Sequence, residues 1–348
     1  MTRPGRCGVD MRKVSSRNVH ITGWGAHVPP GLLTNDDVAC FVNTTDEWIQ
    51  TRTGIVRRHI AAEDDRTEAL AAAAGAAALQ RAGLFAEDID LIICASNTFT
   101  SLVPNTACAV QLALGADRAT AFDVQSACTG FVYAMSVATA LISGGHHDRA
   151  LVIGAEIMTR VVDWQDRTMC VLFGDGAGAV VIERRDGPGG VLTFSLGSDG
   201  RQGRLIHLPI GVTPQAAHAV PTSPAPILQM VGPEVFRFAS RIVVDVTHSL
   251  ARAAGLPVEA IDLVIPHQAN ARILEHAAKH LGLPPERLYN CVAHFGNTST
   301  ASIPLALDHA VRAGRVRAGD LVALVGFGGG LSWGGCLVEW TAETNCDA

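Results

Sequence analysis

Apolar and polar positions along this chain fall into helix-like and strand-like stretches that follow one another in a repeated order. An alanine-rich run at helical spacing ends at Ala82, Gly83 and Leu84. After a short acidic link comes Ile89, Asp90, Leu91, Ile92 and Ile93, apolar and brief enough for a buried strand. The same order returns 172 residues later, at Ala254, Gly255 and Leu256 leading to Ile261, Asp262, Leu263, Val264 and Ile265. A second unit repeats near that offset: Gly144 before Leu151, Val152, Ile153 and Gly154 answers to Gly314 before Leu321, Val322, Ala323 and Leu324. Each half then closes on a glycine-rich turn and an apolar strand, from Gly174 to Ile182 and from Gly326 to Glu339. The common register predicts a duplicated α/β fold whose halves share an interface, because each sheet needs cover on both faces.

Residues 184–226 are rich in Gly, Pro and Ser and show no sustained period, so they read as a connecting segment with short strands. The expected division is an N-terminal half at 18–183 and a C-terminal half at 227–348. Residues 1–17 carry Arg3, Arg6, Arg12, Lys13 and Arg17 without the apolar run of a secretory signal. They read as a disordered extension, with Met11 an alternative start.

Composition narrows the function. With 348 residues, 48% of them hydrophobic, the chain can bury one large core or two ordinary ones. Its formal charge of −6 is scattered, with no basic stripe, which argues against a nucleic-acid partner. The nine cysteines stand singly with no C-x-x-C pair, so neither a zinc site nor a disulfide framework is expected and the reading is a reducing cytoplasm. No apolar run approaches the ~20 residues needed to cross a bilayer.

Candidate chemistry lies just past the repeated strands. From Phe122 to Phe131 the chain reads as strand, small-residue turn and helix, which sets Cys128 at a helix N-terminus. Unpaired N–H groups and the helix dipole there are expected to lower a thiol pKa from about 8.5 and make a nucleophile. In the second half His267 follows the strand ending at Pro266, at the strand end where ligands of open α/β sheets gather. Asn297 precedes the apolar helix that starts near Ile303, and the offset sets it close to the counterpart of Cys128. Taken singly, each has a bland reading: an inert buried cysteine, a structural histidine, a turn asparagine. The Gly328, Gly329, Gly330 turn fits neither G-x-G-x-x-G nor a P-loop, so a dinucleotide or ATP is not expected.

Together these motifs resemble the β-ketoacyl-ACP synthase III family of the thiolase superfamily, from about His20 to the end and in order. The resemblance implies a thiolase-like fold of two α/β halves in an αβαβα layering. It implies a homodimeric acyltransferase without metal or redox cofactor that uses acyl-CoA and malonyl-ACP as substrates. Cys128, His267 and Asn297 stand at the family's catalytic positions. The backbone N–H groups of Cys128 and Gly329 are implied as the oxyanion hole. Trp48, within the stretch from Thr44 to Ile55, is implied to stack on the CoA adenine, flanked by Arg52 and Arg167. Arg237 and Arg272 match basic positions that receive the acidic carrier protein. Val103 matches a position from which a dimer partner lines the acyl pocket.

Three departures stand out. Pro233 replaces a frequent asparagine, Val103 replaces a frequent bulky aromatic, and Gln125 and Ser126 make the turn before Ala127 more polar than usual. The small Val103 implies room for acyl groups longer than acetyl. A synthase III-like enzyme of secondary metabolism, priming a polyketide or transferring an acyl group to a hydroxyl or amine, is the main alternative. A non-catalytic partner of another ketosynthase would be expected to lack Cys128. Neither the additional glutamate of HMG-CoA synthases nor the second catalytic cysteine of thiolases is visible in context, Cys336 being the nearest candidate for the latter.

Overall fold

The computed structural model describes residues 19–209 and 226–343; the expected extension at residues 1–17 lies outside them, as does part of the connecting segment. Two sheets carry the architecture. The first orders its strands Val19–His27, Asp175–Arg184, Arg149–Ile157, Leu91–Ala95 and Thr120–Val124. Its first two pairings are antiparallel and the last two parallel. The second orders Gly190–Ser198, Ser332–Glu339, Leu321–Gly328 and Leu263–Pro266, with two antiparallel pairings and then a parallel one. Strand for strand this repeats the first sheet, less its last member.

The second half therefore begins earlier than composition suggested. Gly190–Ser198 lies inside the segment read as a connection, yet it forms the edge of the second sheet, in the place that Val19–His27 holds in the first. Its flanking glycines and serines obscured a strand whose side chains alternate between buried and half-buried.

Helices fill three layers. Gly130–Ser143 and Ser302–Arg312 lie between the sheets and touch both, which fits the absence of charged residues from the former: most of its surface is covered and little of it is left in water. Thr67–Ala82 covers the outer face of the first sheet, and Gly232–Ala254 with Ala271–Leu281 covers that of the second. The order is α, β, α, β, α. One apolar cluster fills the space between the sheets, from Leu91, Ile93 and Phe131 to Ile303, Leu324 and Val338. Gly83 and Gly255 end the outer helices in matching left-handed caps, with φ of 67° and 75°.

The inner layer sits very close to the first sheet. A Cβ on Gly154 would lie 2.3 Å from the Thr300 carbonyl oxygen, so only glycine lets the start of the second inner helix approach the strand Arg149–Ile157.

Candidate active site

The parallel strands of both sheets deliver their C-terminal ends to one cavity of about 670 Å³. Cys128, His267, Asn297 and Gly329 all line it, as do Trp48 and Arg52, so residues separated by up to 281 positions in the chain meet there.

Cys128 lies in a single 3₁₀ turn, Ala127–Thr129, that runs into the inner helix Gly130–Ser143. Its counterpart is the turn Ser299–Ala301 before Ser302–Arg312, at an offset of 172 residues. The pseudo-equivalent of Cys128 is thus Thr300, and Asn297 corresponds to Gln125, three residues from the expected register. Both turns open with a non-glycine residue in the left-handed region, Ala127 at φ 46° and Ser299 at φ 50°. That conformation costs roughly 1–2 kcal/mol per residue and is tolerated where the surroundings dictate it. On the Ser299 side the side-chain oxygen of Asn297 accepts the Ser299 N–H at 2.9 Å.

The expected lowering of the Cys128 pKa is overturned. Burial pushes the thiol up to about 11, the hydrogen bond from Ser299 pulls the other way, and the charge of Glu156 adds to the rise. Lost hydration outweighs the hydrogen bonds that favour the anion, so the resting sulfur is a neutral thiol. Ser299 Oγ stands 3.4 Å from Sγ. Neither Ser299 nor Glu156 was singled out from the sequence; serine in a turn and glutamate ending a strand carry no local signal of what the fold folds back against them.

His267 is 2% exposed, and burial alone depresses its pKa to about 3. Its backbone N–H donates to Val325 O at 2.8 Å, and its Nδ1 has no partner among the described residues. The next residue holds the loop. The Gln268 side chain donates to Pro266 O and Tyr289 O and accepts from Cys291 N–H, and its backbone N–H donates to Ser302 Oγ. Asn297 Oδ1 is committed to Ser299, so the amide's donor end is the one left for a ligand.

The glycine turn is pressed against Cys128. A Cβ on Gly328 would come within 2.8 Å of Cys128 N, and one on Gly329 would meet Ala127 Cβ at 3.4 Å. The backbone of this turn borders the Cys128 amide because no side chain intervenes.

At the exposed end of the cavity the guanidinium of Arg167 lies 5.1 Å from the Trp48 ring centroid and that of Arg52 6.0 Å, a flat face with two cations. Asn270 ties this wall to the second half, donating from Nδ2 to Arg52 O at 3.1 Å. Arg237 and Arg272 are exposed on neighbouring helices on either side of Phe236, which lines the cavity; Arg272 lies 5.7 Å from that ring and Arg237 pairs with Glu234 at 2.8 Å. Val103 is apart from this assembly. It is 85% exposed and does not line the cavity of its own chain.

Comparison with known proteins agrees with this geometry. Residues 122–200 match the model of 3-oxoacyl-[acyl-carrier-protein] synthase III, and residues 251–340 match that of its C-terminal part. The β-ketoacyl-[acyl-carrier-protein] synthase III of Caulobacter vibrioides is 47% identical over 324 residues, covering 92% of this chain and 98% of the relative. The crystal structure of the Thermus thermophilus synthase III superposes with a TM-score of 0.87 at 44% identity, over 92% of this chain and 99% of that one. The priming β-ketosynthase of the R1128 polyketide pathway superposes with the same TM-score at 36% identity, over 97% and 99%. Sequence, fold and the meeting of both halves at one cysteine lead to a single assignment: this chain belongs to the β-ketoacyl-[acyl-carrier-protein] synthase III family, condensing acyltransferases of thiolase-like fold.

Proposed function

We propose that the chain joins an acyl group from acyl-CoA to the two-carbon unit of malonyl-ACP, giving 3-oxoacyl-ACP and so starting fatty-acid synthesis, with Cys128 as the acyl carrier. In the loading step the Cys128 sulfur forms a bond to the acyl carbonyl carbon as the bond from that carbon to the CoA sulfur breaks; the Cys128 proton ends on the departing CoA thiol. The backbone N–H groups of Cys128 and Gly329 stabilise the oxyanion between these events. Malonyl-ACP then loses CO2, and the electron pair of the broken C–C bond becomes an enolate. An N–H of neutral His267 and the Asn297 amide donate to the enolate oxygen, its carbon attacks the acyl thioester, and the Cys128 sulfur leaves as a thiolate that takes a proton from water to restore the resting thiol. No atom requires an external oxidant or reductant, so the scheme calls for no redox cofactor.

The observation that carries this reading is the convergence of Cys128, His267, Asn297 and Gly329 on one cavity that Trp48 and Arg52 also line, with Arg167 against the Trp48 ring. The aromatic face and cations suit the adenine and phosphates of CoA. Arg237 and Arg272 beside Phe236 offer an acidic carrier protein a landing point at the same opening. In a homodimer Val103 of one protomer would reach the other's acyl pocket, and its position outside its own cavity fits that role. The cytoplasm is the proposed location, and no helix among the described residues is long and apolar enough to cross a membrane.

A second reading keeps the nucleophile and changes the pathway. Gln125 lines the cavity, and the likeness to the R1128 priming ketosynthase favours polyketide priming over other specialised roles. Intact-protein mass spectrometry after incubation with a panel of acyl-CoAs, then malonyl-ACP, tests both. A Cys128-dependent adduct discharged as 3-oxoacyl-ACP supports the first reading and names the primer. An adduct that survives malonyl-ACP moves the assignment to another acceptor, and no adduct with any primer removes the enzymatic reading.

A further inference from the structure

The region behind the nucleophile is more polar than an acyl pocket requires. Glu156, at the end of the strand Arg149–Ile157, is 0% exposed, and donors surround its carboxylate. Oε1 accepts from Asn97 Nδ2 at 2.7 Å and faces the Thr300 hydroxyl at 3.1 Å. Oε2 accepts from the backbone N–H groups of Asn97 and Thr98, each at 3.0 Å, and from the Thr98 hydroxyl at 2.6 Å. That hydroxyl in turn accepts the Ile157 N–H at 2.8 Å, so its proton is committed to Glu156.

The chain continues towards the sulfur. An amide nitrogen only donates, so Asn97 Nδ2 gives one proton to Glu156 and turns the other to Ser299 Oγ at 3.3 Å. Ser299 Oγ, accepting there, has the Cys128 sulfur 3.4 Å away as the partner for its own proton. Each bond fixes the direction of the next. We propose that Glu156, Asn97 and Ser299 form a polarised relay that aims the Ser299 proton at the Cys128 sulfur and so stabilises the thiolate during loading and its return as leaving group. Ser299 acts by contact, whereas Asn97 and Glu156 are positioning residues that act through it.

Glu156 also opposes the thiolate through space. Glu156→Gln would remove that repulsion and the relay's direction at once, so the informative changes are at Asn97 and Ser299. Both leave in place the two titratable groups around the sulfur, Glu156 on its strand and His267 beyond Leu263–Pro266.

The inference rests on Cys128 as nucleophile but is read independently of acyl transfer, from the pH dependence of Cys128 alkylation by iodoacetamide, followed by intact mass on the full chain. A hydrogen bond to a charged group corresponds to about one pKa unit, and the higher intrinsic nucleophilicity of a more basic thiolate offsets part of the loss. Ser299→Ala is expected to slow alkylation about three- to fourfold wherever the rate still rises with pH, and Asn97→Ala to slow it less. The double variant is expected to match Ser299→Ala alone, because Asn97 acts only through the hydroxyl. An unchanged rate profile in Ser299→Ala, or a further slowing when Asn97→Ala is added to it, would overturn the relay. Should Ser299→Ala not fold, Ser299→Gly, which the φ of 50° suits, removes the same hydroxyl. Alkylation that follows the relay while no acyl-CoA loads Cys128 would sink the proposed function and leave the relay standing.

Discussion

The imidazole of His267 meets the ring of Phe327 edge-on, with the ring centroids 5.0 Å apart. This contact takes hydration away from one side of the imidazole and leaves it facing the cavity uncharged.

The pH dependence of stability follows from that burial. His267 takes up a proton near pH 3 in the fold but near 6.5 when exposed, so between these values the unfolded chain holds more protons and stability falls as pH falls. Urea titrations of wild type and His267→Gln are expected to diverge below pH 6.5, with wild type losing roughly 3 kcal/mol more than the variant between pH 7 and pH 4. Parallel losses in the two proteins would show that His267 can be charged in place.

Asn297→Asp separates the two half-reactions. Oδ1 continues to accept the Ser299 N–H, while the amide donor becomes an anion facing the enolate. Acyl loading measured by intact mass is expected to stay within a few-fold of wild type. CO2 release from malonyl-ACP is expected to drop about 10²–10³-fold, the usual loss for one oxyanion donor. Equal damage to both steps would contradict the proposed roles.

Trp48→Ala tests nucleotide recognition. With the ring gone, Arg167 and Arg52 lose the face they share, and KM for acyl-CoA is expected to rise about tenfold, corresponding to a contact of about 1–2 kcal/mol. Loading from a short acyl-pantetheine thioester without the nucleotide is expected to be unaffected. A rise for both donors would mean that Trp48 shapes the tunnel rather than holding adenine.

Gly154→Ala probes the seam between the inner helix layer and the first sheet. The new methyl group would press on backbone at Thr300, which no rotamer change relieves. Urea unfolding is expected to show a loss of about 1–3 kcal/mol. Loading is expected to fall further than stability explains, because Ser299 and Thr300 move together. Normal loading in a destabilised variant would mean that the Ser299 turn tolerates displacement.

The duplicated architecture was legible because it leaves a local mark, a repeated αβ register, and Cys128, His267 and Asn297, each placed just beyond an apolar run in the sequence, meet at one cavity. The start of the second half was missed because Gly190–Ser198 becomes a strand through its pairing with Ser332–Glu339, a partner about 140 residues distant. The direction of the Cys128 pKa was misread for a related reason. A helix start is visible in sequence, but burial depends on everything packed around it. Ser299, Asn97 and Glu156 come from three separate segments, and only the fold shows that their hydrogen bonds run in series. Asn297 lines the same cavity as Cys128, although its register with Cys128 differs by three residues from the one the repeat predicted.

The twin bends at Ala127 and Ser299 make the active site a seam between two versions of one shape. Each bend is the other's wall: one lends a sulfur, and the other lends the hydroxyl that touches it. Neither half can therefore be improved alone. A substitution that relaxes one bend changes what its twin faces, so variation at residues 125–129 and 297–301 is expected to be tolerated in matched pairs, the two segments behaving as a single unit of adaptation.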